Sequence, residues 1–331
     1  MNPIGWGIIG CGDVTEVKSG PGFQKAENSN LVAVMRRNGA LAESYAKRHH
    51  VPRWYDDGDK LINDPEVDIV YIATPPAYHK EYTIKAAKAG RAVYVEKPMA
   101  LTYKECQEMI QICQEAEVPL YVAYYRRALP KFIKIKELID TGVIGEVRFV
   151  TVKNYEKPKV KPGEKELPWR VVPEIAGGGI FVDIGCHTLD ILDFLLGPIQ
   201  TVQGSAGNQG YLYRAEDIVA ANFVFQSGVQ GTGIWCFTAY EDYDMNEIVG
   251  SQGKISFPTF GSNPVRLTTE NGTIEFPIEN PLHIQQPFIQ TVVDDLIGKG
   301  KCPSTGESAA RTSWVMDTIL RDYRSIQIQE F

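Results

Sequence analysis

The residues of this 331-residue sequence that could do chemistry lie in four short segments. In the first, Gly10 and Gly12 directly follow the apolar run GWGII. A Gly-x-Gly pair after a strand lets the chain turn tightly, and it lets backbone N–H groups at a helix start approach a pyrophosphate. Thr15 stands where the usual pattern has a third glycine. The segment predicts a dinucleotide-binding loop, and a plain strand-to-helix turn is the alternative.

The second segment is the arginine pair Arg36-Arg37, which follows the apolar run NLVAVM. At the end of the second strand of a dinucleotide fold, a carboxylate accepts from the ribose 2′-OH, whereas an arginine suits a 2′-phosphate. No carboxylate follows here until Glu43. We therefore expect NADP(H) to be preferred, with NAD(H) possible. The alternative is a pair of solvated surface arginines.

The third segment, Glu96-Lys97-Pro98, ends another apolar run. Open α/β sheets bind ligands at the carboxyl edge of their strands, so Lys97 is in a position to take part in chemistry. An exposed lysine paired with Glu96 is the alternative. No metal site is predicted, because the six cysteines form no C-x-x-C pair and do not cluster with the five histidines.

The fourth segment carries Asp183, His187 and Asp190, which follow one another at i, i+4 and i+7. On an α-helix this spacing places all three on one polar face, while the surrounding isoleucines and leucines form the buried remainder. One ionisable stripe on an apolar helix indicates a site. A histidine satisfied within the core is the alternative interpretation.

The elements that must position these residues divide into two classes. Up to residue 124, short apolar runs alternate with helical patterns, which predicts an α/β domain with a doubly wound parallel sheet of the Rossmann type. The runs span residues 5–10, 30–35, 68–74, 92–97 and 119–124. Pro21 falls where the first crossover helix would continue, so we expect that helix to be short or split.

After a bridging helix over residues 131–142, the sequence favours consecutive strands with turns at Ser227-Gly228, Gln252-Gly253 and Asn271-Gly272. We predict an α+β domain over residues 125–331 with an open, mostly antiparallel sheet. One central helix should span about 180–196, and two C-terminal helices about 284–298 and 306–324. A polar, proline-rich loop occupies residues 155–170.

Composition excludes several classes of protein. Apolar residues make up 44% of the chain and charged residues 23%, as in ordinary globular proteins, and the net charge of −7 disfavours a nucleic-acid surface. No run of apolar residues is long enough to span a membrane, and the N-terminal residues lack the features of a signal peptide. We expect a cytoplasmic protein.

Taken together, these segments resemble the Gfo/Idh/MocA oxidoreductases, the family of glucose-fructose oxidoreductase and inositol dehydrogenase. The resemblance spans essentially the whole chain. It is carried by GIIGCGDV at the N-terminus, ATPPAYH (73–79), EKP (96–98), YYRRALP (124–130), PWRVVPEIAGGG (168–179), DIGCH (183–187) and NPLHIQQPF (280–288). It implies a Rossmann domain followed by an open-sheet domain that pairs face to face in oligomers, with substrate bound between the two domains.

The resemblance also implies residue roles. Lys97 matches the catalytic lysine, His187 the acid/base and Asp183 a substrate carboxylate, while Arg126 or Arg127 matches a position on the substrate side. The implied cofactor contacts are Gly10, Cys11, Gly12, Asp13, Val14, Arg36, Arg37, Thr74, Pro75, His79, Glu96, Lys97, Trp169 and Arg170. The chain departs from the family pattern at Pro76, Tyr125 and His283, which stand where asparagine or tyrosine is common.

The expected function is hydride transfer between NADP(H) and a carbonyl or secondary alcohol of a sugar, cyclitol or related small molecule, by a homodimer or homotetramer. Two alternatives stay open. An enzyme with the same fold could instead oxidise a dihydrodiol or reduce a conjugated double bond. A protein that only senses NADP(H) would need neither Lys97 nor His187, so the presence of both favours an enzyme.

Overall fold

The structure of the protein is a computed structural model that describes residues 2–329 and the side chains of residues 2–326. Contacts divide the chain into two compact units. The first unit contains the chain up to Leu129 together with Asn280–Ala310, and the second contains Pro130–Glu279 and the chain from Arg311 onward.

The first unit is built on a six-stranded parallel sheet in the order β3-β2-β1-β4-β5-β6. Its strands are β1 (Ile4–Ile9), β2 (Ser29–Met35), β3 (Arg53–Tyr55), β4 (Ile69–Ile72), β5 (Ala92–Val95) and β6 (Leu120–Val122). The strand order reverses beside β1, which creates a crevice at the carboxyl ends of β1 and β4. The parallel sheet confirms the predicted fold class. Strand β3 was not predicted, because three half-exposed or exposed residues show no periodicity.

The crossover helices of this unit are α1 (Asp13–Val17), α2 (Gly20–Lys25), α3 (Gly39–His49), α4 (Gly58–Ile62), α5 (His79–Lys88) and α6 (Tyr103–Glu115). The first crossover is split as expected. Pro21 lies in the first turn of α2, where its missing N–H costs nothing. Side-chain caps begin three of the other helices: Asn38, Asp57 and Thr102 each accept a hydrogen bond from a backbone N–H of the first turn.

The second unit is built on an eight-stranded sheet in the order β14-β13-β12-β11-β7-β10-β9-β8, in which only the β7/β10 pair is parallel. Its strands are β7 (Val147–Tyr155), β8 (Ile199–Gly207), β9 (Ile218–Phe225), β10 (Gln230–Cys236), β11 (Tyr243–Gly250), β12 (Gly253–Phe257), β13 (Val265–Thr269) and β14 (Gly272–Phe276). The predicted mostly antiparallel sheet is confirmed. Gly228 (φ +86°) and Gly272 (φ +110°) adopt the left-handed conformation that their hairpin turns require.

Within Pro130–Glu279, the helices of this unit are α7 (Pro130–Asp140), α8 (Pro173–Ala176) and α9 (Cys186–Leu196), and α9 is preceded by a π-helical turn over Phe181–Gly185. Phe181 packs edge-on against Trp235 of β10, with ring centroids 5.1 Å apart, so this helical segment covers one face of the sheet. The opposite face carries Phe149, Ile234 and Tyr243, each exposed to 40% or more. Within this chain, one face of the sheet is covered and the other carries apolar side chains in contact with solvent.

Residues 280–310 differ from the predicted division, which assigned everything after residue 124 to the second domain. They belong to the first unit through α10 (Gln286–Leu296). The physical reason is aromatic packing and hydrogen bonding: Phe288 stacks on Tyr94 of β5 at 5.8 Å, and the Tyr94 hydroxyl donates to Gln285. The last helix is α11 (Gly306–Gln329). No helix of the described residues is long and apolar enough to cross a membrane.

Candidate active site

The glycine loop lies at the carboxyl end of β1. Gly10 has φ +91°, and a Cβ on it would come within 3.0 Å of the Ala73 backbone, so only glycine fits there. Gly12 caps α1, and a Cβ on it would meet a single protein atom within 4 Å, the Gly10 carbonyl oxygen at 3.8 Å. The protein's own packing therefore does not require a glycine at position 12. The open space suits a ligand that lies against the backbone, as a pyrophosphate does.

The residues after the loop hold its shape. Thr15 is fully buried, and its hydroxyl and its backbone N–H both donate to the Gly12 carbonyl, at 2.7 and 2.9 Å. This anchor stands where the usual pattern has a third glycine. Cys11 is buried, and burial raises the pKa of its thiol to about 11, so the thiol stays protonated near neutral pH. Asp13 is exposed and Val14 half-buried on the first turn of α1.

Arg36 and Arg37 follow β2 and are both exposed. The Arg37 guanidinium lies over the ring of Tyr78, 5.5 Å from its centroid. No ion pair joins either arginine to a carboxylate within the part of the chain that the structure describes. Both charges are therefore available to an anionic ligand at the tip of β2. This arrangement fits the 2′-phosphate of NADP(H).

The segment after β4 is organised by His79, which is fully buried. Its Nε2 lies 2.7 Å from the Thr74 carbonyl, and its Nδ1 lies 3.1 and 3.2 Å from the carbonyls of Pro98 and Met99. Burial lowers the pKa of His79. The imidazole thus ties the segment after β4 to the segment after β5, and its contact with a cofactor stays a prediction.

Thr74 and Pro75, which the resemblance also assigns to the cofactor, precede the short 3₁₀ turn Pro76–Tyr78. Both are half-buried. The Thr74 hydroxyl is a buried polar atom without a hydrogen-bond partner. Buried polar groups are normally paired, so this hydroxyl at the carboxyl edge of the sheet fits a ligand that supplies the missing partner.

Glu96 and Lys97 end β5. Glu96 is only 7% exposed, and its Oε1 accepts from the Tyr71 hydroxyl at 2.5 Å and from the Gln285 amide at 2.8 Å, while Oε2 accepts from the Lys97 N–H at 3.1 Å. The carboxylate is therefore fixed by three donors, and Oε2 keeps a lone pair for a ribose hydroxyl. Lys97 is half-buried at the carboxyl edge of the sheet, where the sequence predicted it.

Gln285 and His283, which belong to the matching segment 280–288 and directly precede α10, also contact this region, and these contacts were not predicted. Gln285 joins Glu96 to Tyr94, and its backbone N–H donates to the Lys18 carbonyl at 3.1 Å. His283 contacts the Val17 carbonyl through Nδ1 at 2.9 Å. Both residues therefore hold the end of α1 through contacts with its last carbonyl groups. Sequence spacing carries no signal of these contacts, because Gln285 and Glu96 are 189 positions apart.

Arg126 and Arg127 lie in the 3₁₀ turn Tyr125–Ala128 and are both buried. The Arg126 guanidinium lies over the Tyr125 ring at 5.0 Å, and Arg127 donates to the Pro303 carbonyl at 3.0 Å. Arg127 therefore secures the segment after α10. The substrate-side role that the resemblance implies for this pair stays a prediction.

In the second unit, the structure joins two predicted residues that sequence analysis had placed in different roles. Arg170 pairs with Asp183, with Nε and Oδ2 3.2 Å apart, and its guanidinium lies 4.5 Å from the centroid of Trp169. Asp183 is 15% exposed at its side chain, against 51% for Arg170. The exposed Arg170, whose guanidinium lies against the half-buried Trp169, thus brings a positive charge to the carboxylate.

The helix that carries Asp183, His187 and Asp190 differs from the expected regular α-helix. Asp183 lies in the π-helical turn Phe181–Gly185, so the α-helical spacing from Asp183 to His187 does not hold. His187 and Asp190 lie in α9 and are 5% and 1% exposed, so they are not on a solvated face. π-turns are frequent at functional sites. The turn has no signal in the sequence beyond the small residue Gly185, whose Cβ would collide with the Phe181 ring.

These features define a class of protein. A parallel Rossmann sheet with a glycine loop after β1, two unpaired arginines after β2 and a lysine after β5 is the framework of a dinucleotide-dependent oxidoreductase. Residues 4–124 match the model of an oxidoreductase family with an NAD-binding Rossmann fold, Gfo/Idh/MocA, and residues 132–256 match a C-terminal domain of the same family. The chain belongs to the Gfo/Idh/MocA family, and it is an NAD(P)-dependent oxidoreductase that acts on alcohols.

Among its relatives, the chain is 40% identical to Oxidoreductase P35 of Formosa agariphila over 316 residues, which cover 95% of this chain and 97% of that protein. It is 27% identical to a 1,5-anhydro-D-fructose reductase of Ensifer adhaerens, with 91% of each chain covered. Among solved structures, it resembles an aldose-aldose oxidoreductase of Caulobacter crescentus, with a TM-score of 0.86 at 24% identity and 98% of each chain covered. The structural likeness supports the fold.

Proposed function

We propose that the protein transfers a hydride between NADP(H) and a carbonyl or secondary alcohol of a sugar, cyclitol or related small molecule. The observation that carries this proposal is Lys97, half-buried at the carboxyl edge of the parallel sheet beside the anchored Glu96. The relative from Ensifer adhaerens, a 1,5-anhydro-D-fructose reductase, supports a sugar-like substrate.

The roles of the residues follow from the charges that the reaction creates. The bound nicotinamide supplies or accepts the hydride. Reduction of a carbonyl leaves an alkoxide on the substrate, which needs a proton and nearby positive charge. The His187 imidazole is suited to deliver the proton, and the Lys97 ammonium is suited to stabilise developing negative charge by donating a hydrogen bond. In the reverse direction, His187 accepts the hydroxyl proton of a secondary alcohol, and the hydride from the same carbon passes to the oxidised nicotinamide.

Asp183 is the carboxylate that holds a substrate hydroxyl. Its ion pair with Arg170 supports this role, because the neighbouring guanidinium favours the ionised form that accepts hydrogen bonds. Arg170 and Trp169 also fit the cofactor role that the family resemblance implies. The two roles are compatible, since a guanidinium carries five N–H donors.

The arginine pair after β2 supports NADP(H) over NAD(H). Arg36 and Arg37 have no carboxylate partner in residues 2–329, so a 2′-phosphate would meet two uncompensated charges. Charge-assisted hydrogen bonds of this kind contribute about 1.5 to 3 kcal/mol each.

The exposed face of the eight-stranded sheet, where apolar side chains lie among Lys153 and Glu247, supports assembly into a homodimer or homotetramer. Phe149, Ile234 and Tyr243 lie on one face of adjacent strands. Apolar patches of this kind on a soluble fold mark contact surfaces, and most soluble assemblies pair identical surfaces.

The experiment that tests the function is a substrate screen. Sugars, lactones, cyclitols and diols are offered with NADPH or NADP, and the oxidation state of the nicotinamide is followed by absorbance. We expect turnover of a polyhydroxylated carbonyl or alcohol. Turnover of dihydrodiols alone, or of conjugated double bonds alone, would contradict the proposal. It would indicate that the same fold catalyses a different reaction.

A further inference from the structure

The four-residue segment Pro258–Gly261, which follows β12, is held by hydrogen bonds to two charged side chains, Asp244 and Lys131. The Asp244 carboxylate, from β11, accepts three backbone N–H groups: Oδ1 accepts from Thr259 at 3.1 Å, and Oδ2 accepts from Phe260 at 2.6 Å and from Gly261 at 3.3 Å. The N–H groups of three consecutive residues are thereby fixed by one side chain.

A cation holds the carbonyl groups of the same loop. Lys131, from the first turn of α7, is 5% exposed, and its Nζ donates to the carbonyls of Pro258 at 3.1 Å and Gly261 at 2.8 Å. Burying an ammonium group is unfavourable unless it is well hydrogen-bonded. The two carbonyl groups of the loop supply those hydrogen bonds, so the buried Lys131 and the loop conformation depend on each other. Asp244 and Lys131 together clamp both ends of the loop.

The loop is also joined to the helix that carries His187. The Thr259 hydroxyl lies 3.2 Å from the hydroxyl of Thr188, the residue after His187, and accepts from the Asn246 amide at 2.9 Å. Thr188, Thr259 and Asn246 are all buried. The clamp therefore extends through Thr259 to the first turn of α9.

The consequence of this clamp is the position of Phe260. Its ring lies edge-on to the His187 imidazole, with centroids 5.8 Å apart and planes at 76°. Aromatic pairs prefer this edge-on geometry. Because the backbone on both sides of Phe260 is fixed by hydrogen bonds, its ring limits the rotation of the His187 imidazole that it contacts.

We propose that Phe260 is a positioning residue for His187, and that the clamped loop Pro258–Gly261 exists to hold the imidazole in the orientation that proton transfer needs. The proposal rests on the proposed function of His187 as acid/base. Displacing a reacting group by about 1 Å can cost roughly 100-fold in rate. Loss of the Phe260 ring therefore lowers turnover while leaving the first unit and its cofactor loop untouched.

The experiment compares Phe260→Ala, Phe260→Tyr and Thr259→Val with the wild type, using a substrate from the screen described above. We expect Phe260→Ala to lower kcat about 10- to 100-fold, with the NADPH dissociation constant and the melting temperature nearly unchanged. Phe260→Tyr keeps the ring and should restore most of kcat. Thr259→Val removes the link to Thr188 and should lower kcat in the same direction by a smaller factor.

Phe276→Ala is the matched control, because Phe276 is also a half-buried phenylalanine of the second unit and lies on the edge strand β14. A kcat for Phe260→Ala equal to that of Phe276→Ala would overturn the positioning role. If Phe260→Ala fails to fold, the other two variants decide. A wild-type kcat in Thr259→Val together with a kcat well below wild type in Phe260→Tyr would overturn the positioning role.

His187→Ala separates this inference from the proposed function. Wild-type turnover in His187→Ala would reject the acid/base role itself. A large loss in His187→Ala together with an unchanged Phe260→Ala would reject only the positioning role of Phe260.

Discussion

The carboxylate of Glu216 accepts a hydrogen bond from the backbone N–H of Gly179, with 2.7 Å between Oε1 and N. Glu216 is 2% exposed, and Gly179 directly precedes the helical segment that carries Asp183. A Cβ on Gly179 would come within 2.2 Å of the Glu216 carbonyl oxygen, so the close approach requires glycine. Burial raises the pKa of Glu216 to about 7, while the Gly179 hydrogen bond and the charge of Arg324 oppose the rise.

This relationship predicts a pH-dependent stability. The folded pKa of about 7 lies above the ordinary value of 4.5, so the folded chain holds the proton more tightly than the unfolded chain. The stabilisation is complete below about pH 4.5 and is lost as the pH rises to 7. The loss amounts to roughly 3 kcal/mol at 1.36 kcal/mol per pKa unit. Glu216→Gln keeps an acceptor for Gly179 without the titration, and its stability relative to the wild type should increase from pH 5 to pH 8.

The measurement is urea unfolding of both proteins across that pH range. Glu270→Gln is the control, because Glu270 is exposed. Parallel stability curves for Glu216→Gln and the wild type would show that Glu216 does not titrate in the folded protein with a raised pKa.

The second prediction concerns the two proposed reaction residues. Lys97→Met and His187→Ala should each lower kcat by about two to four orders of magnitude, because both interactions strengthen as charge develops on the substrate oxygen. NADPH affinity, measured by fluorescence titration, should change little in His187→Ala. Near-normal turnover in either variant would remove that residue from the reaction, and weakened NADPH binding at unchanged kcat would assign it to the cofactor.

A third prediction follows from the arginines after β2. The double variant Arg36→Ala/Arg37→Ala should lose the preference for NADP(H), with NADPH affinity lowered by about two to four orders of magnitude and NADH affinity nearly constant. Calorimetry with both cofactors measures the two affinities. Equal or tighter binding of NADH by the wild type would refute the NADP(H) preference, and Arg148→Ala serves as an exposed arginine control from the other unit.

The exposed sheet face leads to the fourth prediction. Light scattering at micromolar concentration should give a mass of two or four chains rather than the 36.9 kDa of one. Ile234→Lys would replace an exposed apolar side chain with a second positive charge beside Lys153, its register partner, so it should weaken the assembly. Ile326→Lys is the control, because Ile326 is 57% exposed on α11 and not on this sheet face. A wild-type protein that scatters as a single chain would contradict the prediction.

Several features of the protein were already determined by the sequence, and each depends on local chemistry. The apolar runs of β1, β2, β4, β5 and β6 were located within a few residues, because strands buried on both faces consist of Val, Ile, Leu and aromatic residues. Pro21 predicted the split of the first crossover, since proline is excluded from a helix interior. The turns at Gly228 and Gly272 were predicted because they need positive φ. Glu96 and Lys97 were correctly placed at the end of a strand.

Tertiary structure alone decided which of these local elements meet. Gln285 reaches Glu96, Arg170 reaches Asp183, and Phe260 reaches His187, although no spacing in the sequence links these pairs. Hydrophobic periodicity records which face of an element is buried, and it does not record the partner that buries it. The π-helical turn and the burial of His187 depend likewise on packing against β10 and on the clamped loop, which are contributed by residues far along the chain.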